Sequence, residues 1–210
     1  MLTTILPPRL EERLFERMFW QREEVTLIRR STVRPNIAYS VVDGEEGVAA
    51  RQAQMEAIVT EVLEDPTQPE GKVAIMCESV SGVEQISRAG LFPCEPYHAQ
   101  MSDVARQEVL DQFRDGATRV VVATGAFGMG IDIPDIRLVV FMDEPRSMLD
   151  FGQTSGRGGR DGLPSRAIII RGGLQSHDPL MEQYIDGQPA QCRRIAIDRY
   201  LDRNEERVQC

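Results

Sequence analysis

Lysine is almost absent from this sequence of 210 residues. Of its 24 basic residues, only Lys72 is a lysine and the other 23 are arginines. A phosphate-binding P-loop reads GxxxxGK[ST], in which the lysine reaches the terminal phosphates of a nucleotide and the hydroxyl group binds magnesium. The residues around Lys72 do not fit, because Pro66 replaces the first glycine and Val73 replaces the hydroxyl residue. The sequence therefore contains no P-loop.

Long apolar runs and closely spaced cysteines are also missing. No run approaches the roughly 18 to 20 apolar residues of a membrane span, and the first residues lack the basic flank and apolar core of a secretory signal. Four widely spaced cysteines do not make a disulfide framework, so we expect an intracellular protein with no membrane partner. The net charge of −9 has the wrong sign for holding nucleic acid by overall electrostatic attraction.

Apolar segments alternate with amphipathic segments along most of the chain. Strands are predicted near 37–42, 73–77, 119–123, 136–141 and 166–170, and helices near 9–20, 48–64, 81–89, 102–115 and 147–152. Continuous valine and isoleucine runs separated by helices are typical of a parallel sheet covered on both faces. The sequence therefore predicts a three-layer α/β fold, with a polar helical tail from about residue 174.

Two glycine-rich segments follow predicted strands. Residues 123–132 read ATGAFGMGID, and residues 153–162 read QTSGRGGRDG. Glycines at the carboxyl end of a strand let backbone N–H groups approach a phosphate, and open α/β sheets bind ligands at that edge. Arg157 and Arg160 lie among small residues and can both present guanidinium groups to a polyphosphate. Each segment taken alone is more typical of a turn or a solvated loop.

Together, the two segments resemble motifs V and VI of the RecQ family of DNA helicases. Residues 2–8 resemble motif III, 31–42 the linker between the motor lobes, 72–87 motif IV, 97–116 the segment before motif V, and 192–210 the start of a zinc-binding subdomain. The resemblance implies the second RecA-like lobe of a motor that holds ATP between two lobes. It divides this apparent fragment into a first-lobe remnant with the linker (1–35), the RecA-like lobe (36–173) and the helical start of an incomplete zinc-binding subdomain (174–210).

The resemblance also implies roles for particular residues. Arg160 is expected to be the arginine finger at the γ-phosphate of ATP, with Arg157 assisting at the phosphates and Gln153 coupling nucleotide to DNA. Asp132 and Gly130 are expected at the nucleotide, with Asp132 near the ribose. The residues expected to contact DNA phosphates are Ser79, Thr124 and Gly125.

Two metal ions enter these expectations. ATP would be used with Mg²⁺, whose acidic ligands belong to the first lobe. Asp143 and Glu144 follow an apolar strand as a magnesium-binding pair would, but the missing P-loop argues against that interpretation. Structural zinc takes four ligands, mostly cysteine or histidine. Cys192 and Cys210 match the first two positions, so Zn²⁺ is expected only if the missing ligands are supplied.

Several positions depart from the family pattern, among them Phe141, Gln100 and the pair Thr4-Ile5. Thr154 occupies the place where motif VI usually has a glutamate. Val80 occupies a place where motif IV commonly carries a basic residue. The departure at Val80 would weaken the grip on the DNA backbone.

The implied function is that of the C-terminal lobe of an ATP-dependent 3′–5′ DNA helicase in recombination and repair. Its partners would be single-stranded or duplex DNA and the first RecA-like lobe, in the nucleus of a eukaryote or otherwise in the cytoplasm. The chain alone is predicted not to hydrolyse ATP, because the P-loop lysine and the magnesium ligands are missing from it. Two alternatives are a non-catalytic DNA-binding or decoy module and the second lobe of an RNA helicase.

Overall fold

The computed structural model describes residues 5–28, 31–128, 131–187 and 192–202. Within these ranges the strands are β1 (Ile37–Val42), β2 (Lys72–Met76), β3 (Glu95–Tyr97), β4 (Val120–Ala123), β5 (Ile136–Phe141) and β6 (Ser165–Ile170). They form one sheet in the order β1-β6-β5-β2-β4-β3, and every neighbouring pair is parallel. The predicted parallel α/β fold is confirmed.

Helices precede, connect and follow the strands. They are α1 (Glu11–Met18), α2 (Val48–Leu63), α3 (Val80–Arg88), α4 (Asp103–Asp115), α5 (Met148–Ser155), α6 (Pro179–Asp186) and α7 (Arg193–Asp202). The side chains of Ser79, Ser102 and Ser147 accept a backbone N–H at the starts of α3, α4 and α5. These caps explain where the three helices begin, because each satisfies a donor that the first helical turn leaves unpaired.

Each face of the sheet has its own apolar core. On one face, Met55 and Val59 of α2 pack with Val83 of α3 and with the strands. On the other face, Phe113 of α4 and Phe151 of α5 are fully buried, together with residues of α6 and α7. Burial on both sides accounts for the continuous apolar strands. The helices after residue 174 thus pack on the sheet, while the boundaries between the three predicted segments stay a prediction.

Strand β3 was not predicted from the sequence. It has three residues, contains Pro96 and pairs only with β4 at the edge of the sheet. Proline cannot donate to a neighbouring strand, so it is tolerated at such an edge. Helix α1 is shorter than predicted, because Phe19 adopts a left-handed backbone conformation and ends it. No described helix is both long enough and apolar enough to cross a membrane.

Lys72 has a structural position in this fold. It begins β2, its side chain is buried, and it forms an ion pair with Asp135. A buried ammonium group needs such a partner, since removing it from water is costly. The charge of this lysine therefore links the start of β2 to the segment before β5.

Candidate nucleotide and nucleic-acid site

Two cavities border α5. The first, which we call the strand-end cavity, has a volume of about 510 Å³ and lies where β2, β4 and β5 end. The second, the arginine cavity, has a volume of about 280 Å³ and lies between the segment around Arg34 and the loop 156–162, which we call the arginine loop. Gln153 of α5 lines both cavities. A single side chain therefore borders the two predicted binding regions.

Three guanidinium groups line the arginine cavity. They belong to Arg34, Arg157 and Arg160, and the described residues that line it include no carboxylate. Such a concentration of positive charge favours an anion, and the planar guanidinium group matches phosphate oxygens well. The sequence predicted the last two of these arginines but assigned no role to Arg34.

Arg157 and Arg160 meet at one backbone oxygen. The Nη1 atom of each donates to the carbonyl oxygen of Ile131, at 3.0 Å in both cases. Arg160 Nη1 also donates to Asp132 Oδ1 at 2.7 Å, and the Asp132 side chain is 84% exposed. The structure thus brings together three of the residues predicted at the nucleotide. Gly130, the fourth, lies outside the described residues.

Arg157 is the more deeply placed of the two arginines. Only 7% of it is exposed, and burial, together with the charge of Arg160, lowers the pKa of Arg157 to about 10. Its Nε atom is buried and has no hydrogen-bond partner in the described chain. The group is still charged at neutral pH but is poorly solvated. An anion in the cavity would compensate the poorly solvated charge of Arg157 and could accept a hydrogen bond from its unpaired Nε, so these residues fit a phosphate group.

The residues predicted to contact DNA lie at or beside the strand-end cavity. Thr124 and Gly125 line it, and Ser79 precedes Val80, which also lines it. Ser79 Oγ accepts the backbone N–H of Gly82 at 3.1 Å. A side chain at Gly125 would meet open space, so packing does not require glycine there.

Carboxylates give the strand-end cavity a mixed electrostatic character. Glu78, Asp143 and Asp150 line it, and Arg146 forms an ion pair with Glu78. Burial raises the pKa of Glu78 despite that pair. Negative charge of this kind opposes a phosphate backbone, so the cavity gives little electrostatic attraction for DNA.

Asp161 anchors the arginine loop, a role the sequence did not reveal. Its carboxylate makes a two-point ion pair with the buried Arg137 of β5 and accepts the backbone N–H of Leu163 at 3.0 Å. Gly159 in the same loop has φ +55, and a Cβ atom there would lie 2.5 Å from both Leu163 O and Asn36 Nδ2. The glycine and aspartate thus set the backbone path, while the arginine side chains face the cavity. The run of glycine and aspartate in GRGGRDG was the available signal.

The predicted metal ligands do not form a site among the described residues, where no group of three or more histidine, cysteine, aspartate or glutamate side chains could hold a metal. Asp143 accepts the backbone N–H groups of Glu78 and Leu174, and Glu144 accepts that of Ser176. These bonds give the acidic pair a structural use. Cys192 takes part in a disulfide bond, and Cys210 lies outside the described residues, so zinc binding stays a prediction.

Comparison with known proteins agrees with this fold. The model of the helicase conserved C-terminal domain matches residues 53–162. The chain is 38% identical over 141 residues to the ATP-dependent DNA helicase RecQ of Pasteurella multocida, covering 65% of this chain and 21% of that protein. It is 49% identical over 103 residues to the ATP-dependent DNA helicase Q4 of Mus musculus, covering 48% of this chain and 8% of that protein. The chain spans about a fifth or less of the length of such relatives.

Solved structures support the same fold. The E. coli DEAD-box protein SrmB, bound to the regulator of ribonuclease activity A, has a TM-score of 0.55 at 23% identity, with 73% of this chain and 85% of that chain covered. Domain 2 of the DEAD-box helicase Mss116p, bound to an RNA duplex, has a TM-score of 0.54 at 12% identity, with 71% and 68% covered. At these identities the likeness concerns the fold alone.

The chain belongs to the family of helicase conserved C-terminal domains, whose model matches just over half of it. More particularly, it is a second RecA-like lobe of the RecQ type. The family predicted from the sequence is therefore confirmed, whereas the roles of single residues stay predictions.

Proposed function

We propose that this chain supplies the arginine finger and part of the single-strand track of a RecQ-type, ATP-dependent 3′–5′ DNA helicase. The observation that carries the proposal is the arginine cavity. Two arginines of one loop converge there on the carbonyl group of Ile131, beside a third arginine, with no lining carboxylate among the described residues. A polyphosphate is the ligand class that such a group recognises best.

On the nucleotide side, Arg160 is the finger and Arg157 holds the phosphates. Arg160 forms its ion pair with a largely exposed Asp132, and exposed pairs contribute only about 0–1 kcal/mol. Exchanging that partner for a phosphate oxygen therefore costs little. ATP, when bound, supplies the γ-phosphoryl group, and an arginine at its developing charge raises the rate by about 10³ to 10⁵. The magnesium ligands and the P-loop would come from the first lobe.

On the DNA side, hydroxyl and backbone groups position the strand. Thr124 and Gly125 line the strand-end cavity, and Ser79 borders it. Contacts of this kind fix the register of a strand without reading its sequence. Gln153 is the coupling residue, because it lines this cavity and the arginine cavity at once.

The proposed partners are DNA and a first RecA-like lobe. Apolar side chains at and after α1 support the second partner, since Phe19 is 91% exposed and Ile28 is 84% exposed. A covering lobe would remove this apolar surface from water. The proposed process is recombination and repair, in the nucleus of a eukaryote or in the cytoplasm of a bacterium. Zinc binding would require reduction of the disulfide bond of Cys192, and further ligands in addition to Cys192 and Cys210.

The test combines binding of MgATP by calorimetry with phosphate release by the purified 210-residue chain. We expect weak binding that Arg160→Ala and Arg157→Ala each reduce at least about fivefold, since each removes a charge-assisted bond. Arg171→Ala is the matched control, because Arg171 pairs with Asp43 and Asp186 and lines neither cavity. No phosphate release is expected, with or without single-stranded DNA.

Two outcomes would contradict the proposal. MgATP binding that is unchanged by both substitutions would mean that the two arginines are not part of the nucleotide site. DNA-stimulated turnover that is lost in Arg160→Ala would show that the chain hydrolyses ATP without a P-loop. A chain that binds DNA but no MgATP would instead support the non-catalytic module.

A further inference from the structure

Arg34 makes hydrogen bonds to the backbone of the arginine loop. It belongs to the linker-like segment before β1, more than a hundred residues away along the chain. Its Nη1 atom donates to the carbonyl oxygen of Gly156 at 3.4 Å, and its Nη2 atom donates to that of Gly159. These two carbonyl groups stand immediately before Arg157 and Arg160. The side chain therefore bridges the backbone that carries both cavity arginines.

The same segment is fixed at other points. Asp202, at the end of α7, accepts the backbone N–H groups of Thr32 at 2.7 Å and Val33 at 3.4 Å. Asn36 Nδ2 donates to the carbonyl oxygens of Gly159 at 2.8 Å and Leu163 at 2.7 Å. The segment 31–36 is thus bonded to the last described helix on one side and to the arginine loop on the other.

We propose that Arg34 is a positioning residue, which fixes the arginine loop so that Arg157 and Arg160 converge. What those arginines then act on rests on the proposed function. Both terminal nitrogens of Arg34 already donate to carbonyl oxygens, so its hydrogen-bonding capacity is directed at the loop. The loop contains Gly156, Gly158 and Gly159, and glycine loses more backbone freedom on ordering than other residues do.

Hydrogen exchange of the chain without nucleotide tests the positioning role directly. Arg34→Ala is expected to speed exchange of the amides of Arg157, Gly158 and Gly159 about tenfold, because charged donors leave two carbonyl groups. Amides of β4 and β5 are expected to keep their rates. Arg166→Ala is the matched control, since Arg166 pairs with Glu61 and makes no described hydrogen bond to the loop.

The second readout is the affinity for MgATP in a double-mutant cycle. Arg34→Ala should weaken binding about fivefold in the wild-type background and less than about twofold when Arg160→Ala is already present. Residues that act through one another are not additive, whereas independent contacts are. If Arg34→Ala does not fold, Arg34→Lys serves, because it keeps the charge but lacks the planar fork of two nitrogens with which Arg34 reaches the two carbonyl groups.

The outcomes separate this inference from the proposed function. Unchanged hydrogen exchange of the loop in both Arg34 variants would overturn the positioning role, whether or not the chain binds ATP. Fully additive losses of MgATP affinity in the double-mutant cycle would also overturn it. Absence of ATP binding by the wild-type chain would overturn the proposed nucleotide site alone. Faster loop exchange in Arg34→Ala, with Arg166→Ala unchanged, would then still support the positioning role.

Discussion

At the scale of single residues, different side chains of the arginine loop line the cavity and hold the loop in place. Arg157 and Arg160 face the cavity, whereas Asp161 turns to Arg137 of β5. The hydrogen bond from Arg137 is the main cause that holds the pKa of Asp161 below its usual value. Because the pKa is lower in the folded chain, the pair contributes stability above the ordinary aspartate range. That contribution is lost as the pH falls through the lowered pKa.

Asp161→Asn is expected to lower the free energy of unfolding by about 1–3 kcal/mol at neutral pH. The buried guanidinium group of Arg137 would lose its charged partner, and an unsatisfied buried group costs about this much. Urea unfolding from about pH 7 to about pH 3 measures the effect. The difference from the wild-type chain should shrink toward the acidic end, because the pH there approaches the lowered pKa of Asp161 and the wild-type carboxylate begins to take up a proton.

Asp65→Asn is the control for this change. The pKa of Asp65 is also lowered, by hydrogen bonds from Thr67, and Asp65 lines a cavity that Arg137 also lines. No ion pair joins these two side chains among the described contacts, in contrast to the pair of Asp161 with Arg137. Asp65→Asn should therefore lower the free energy of unfolding clearly less than Asp161→Asn does. Equal losses for both variants, or a difference that does not depend on pH, would mean that the Arg137 pair does not anchor the loop.

At the scale of elements, two helix caps allow an effect on stability to be distinguished from an effect on DNA contact. Ser79 and Ser102 occupy the same position at the starts of α3 and α4, and accept a backbone N–H at 3.1 and 3.2 Å. Replacing either by alanine should lower stability by about 1 kcal/mol. Only Ser79 precedes a residue that lines the strand-end cavity. Only Ser79→Ala should therefore also weaken binding of single-stranded DNA, measured by fluorescence anisotropy at low salt. Equal weakening by Ser102→Ala would attribute the effect to stability alone.

The elements also explain what the sequence could and could not predict. Strands β2, β4, β5 and β6 were predictable because their valine and isoleucine runs are buried on both faces. Strand β3 was missed because three residues with a proline carry no such pattern. The arginine pair was visible as a motif. The bonds of the pair to Ile131, the bonds of Arg34 to the loop backbone and the ion pair of Asp161 join residues distant in sequence, so only the folded chain reveals them.

At the scale of the whole molecule, acidity and DNA binding oppose one another. The net charge is −9, and three carboxylates line the strand-end cavity. The chain alone should therefore bind single-stranded DNA weakly. Val80, half-buried at the start of α3, stands where the RecQ pattern commonly has a basic residue. A missing cation at this cavity is a local cause of weak binding, distinct from the overall charge.

Val80→Arg tests that local cause against the overall charge. Val104→Arg adds the same charge to the first turn of α4 at an exposed site outside the cavity. The two variants thus share both net charge and any unfavourable interaction with a helix dipole. If a phosphate passes the strand-end cavity, Val80→Arg alone should raise the affinity. It should also steepen the fall of log K with log salt by about 0.7, the value for one more phosphate contact on a single strand. Equal steepening in both variants would mean that overall charge governs binding. No change in either variant would mean that the DNA strand follows another part of the lobe.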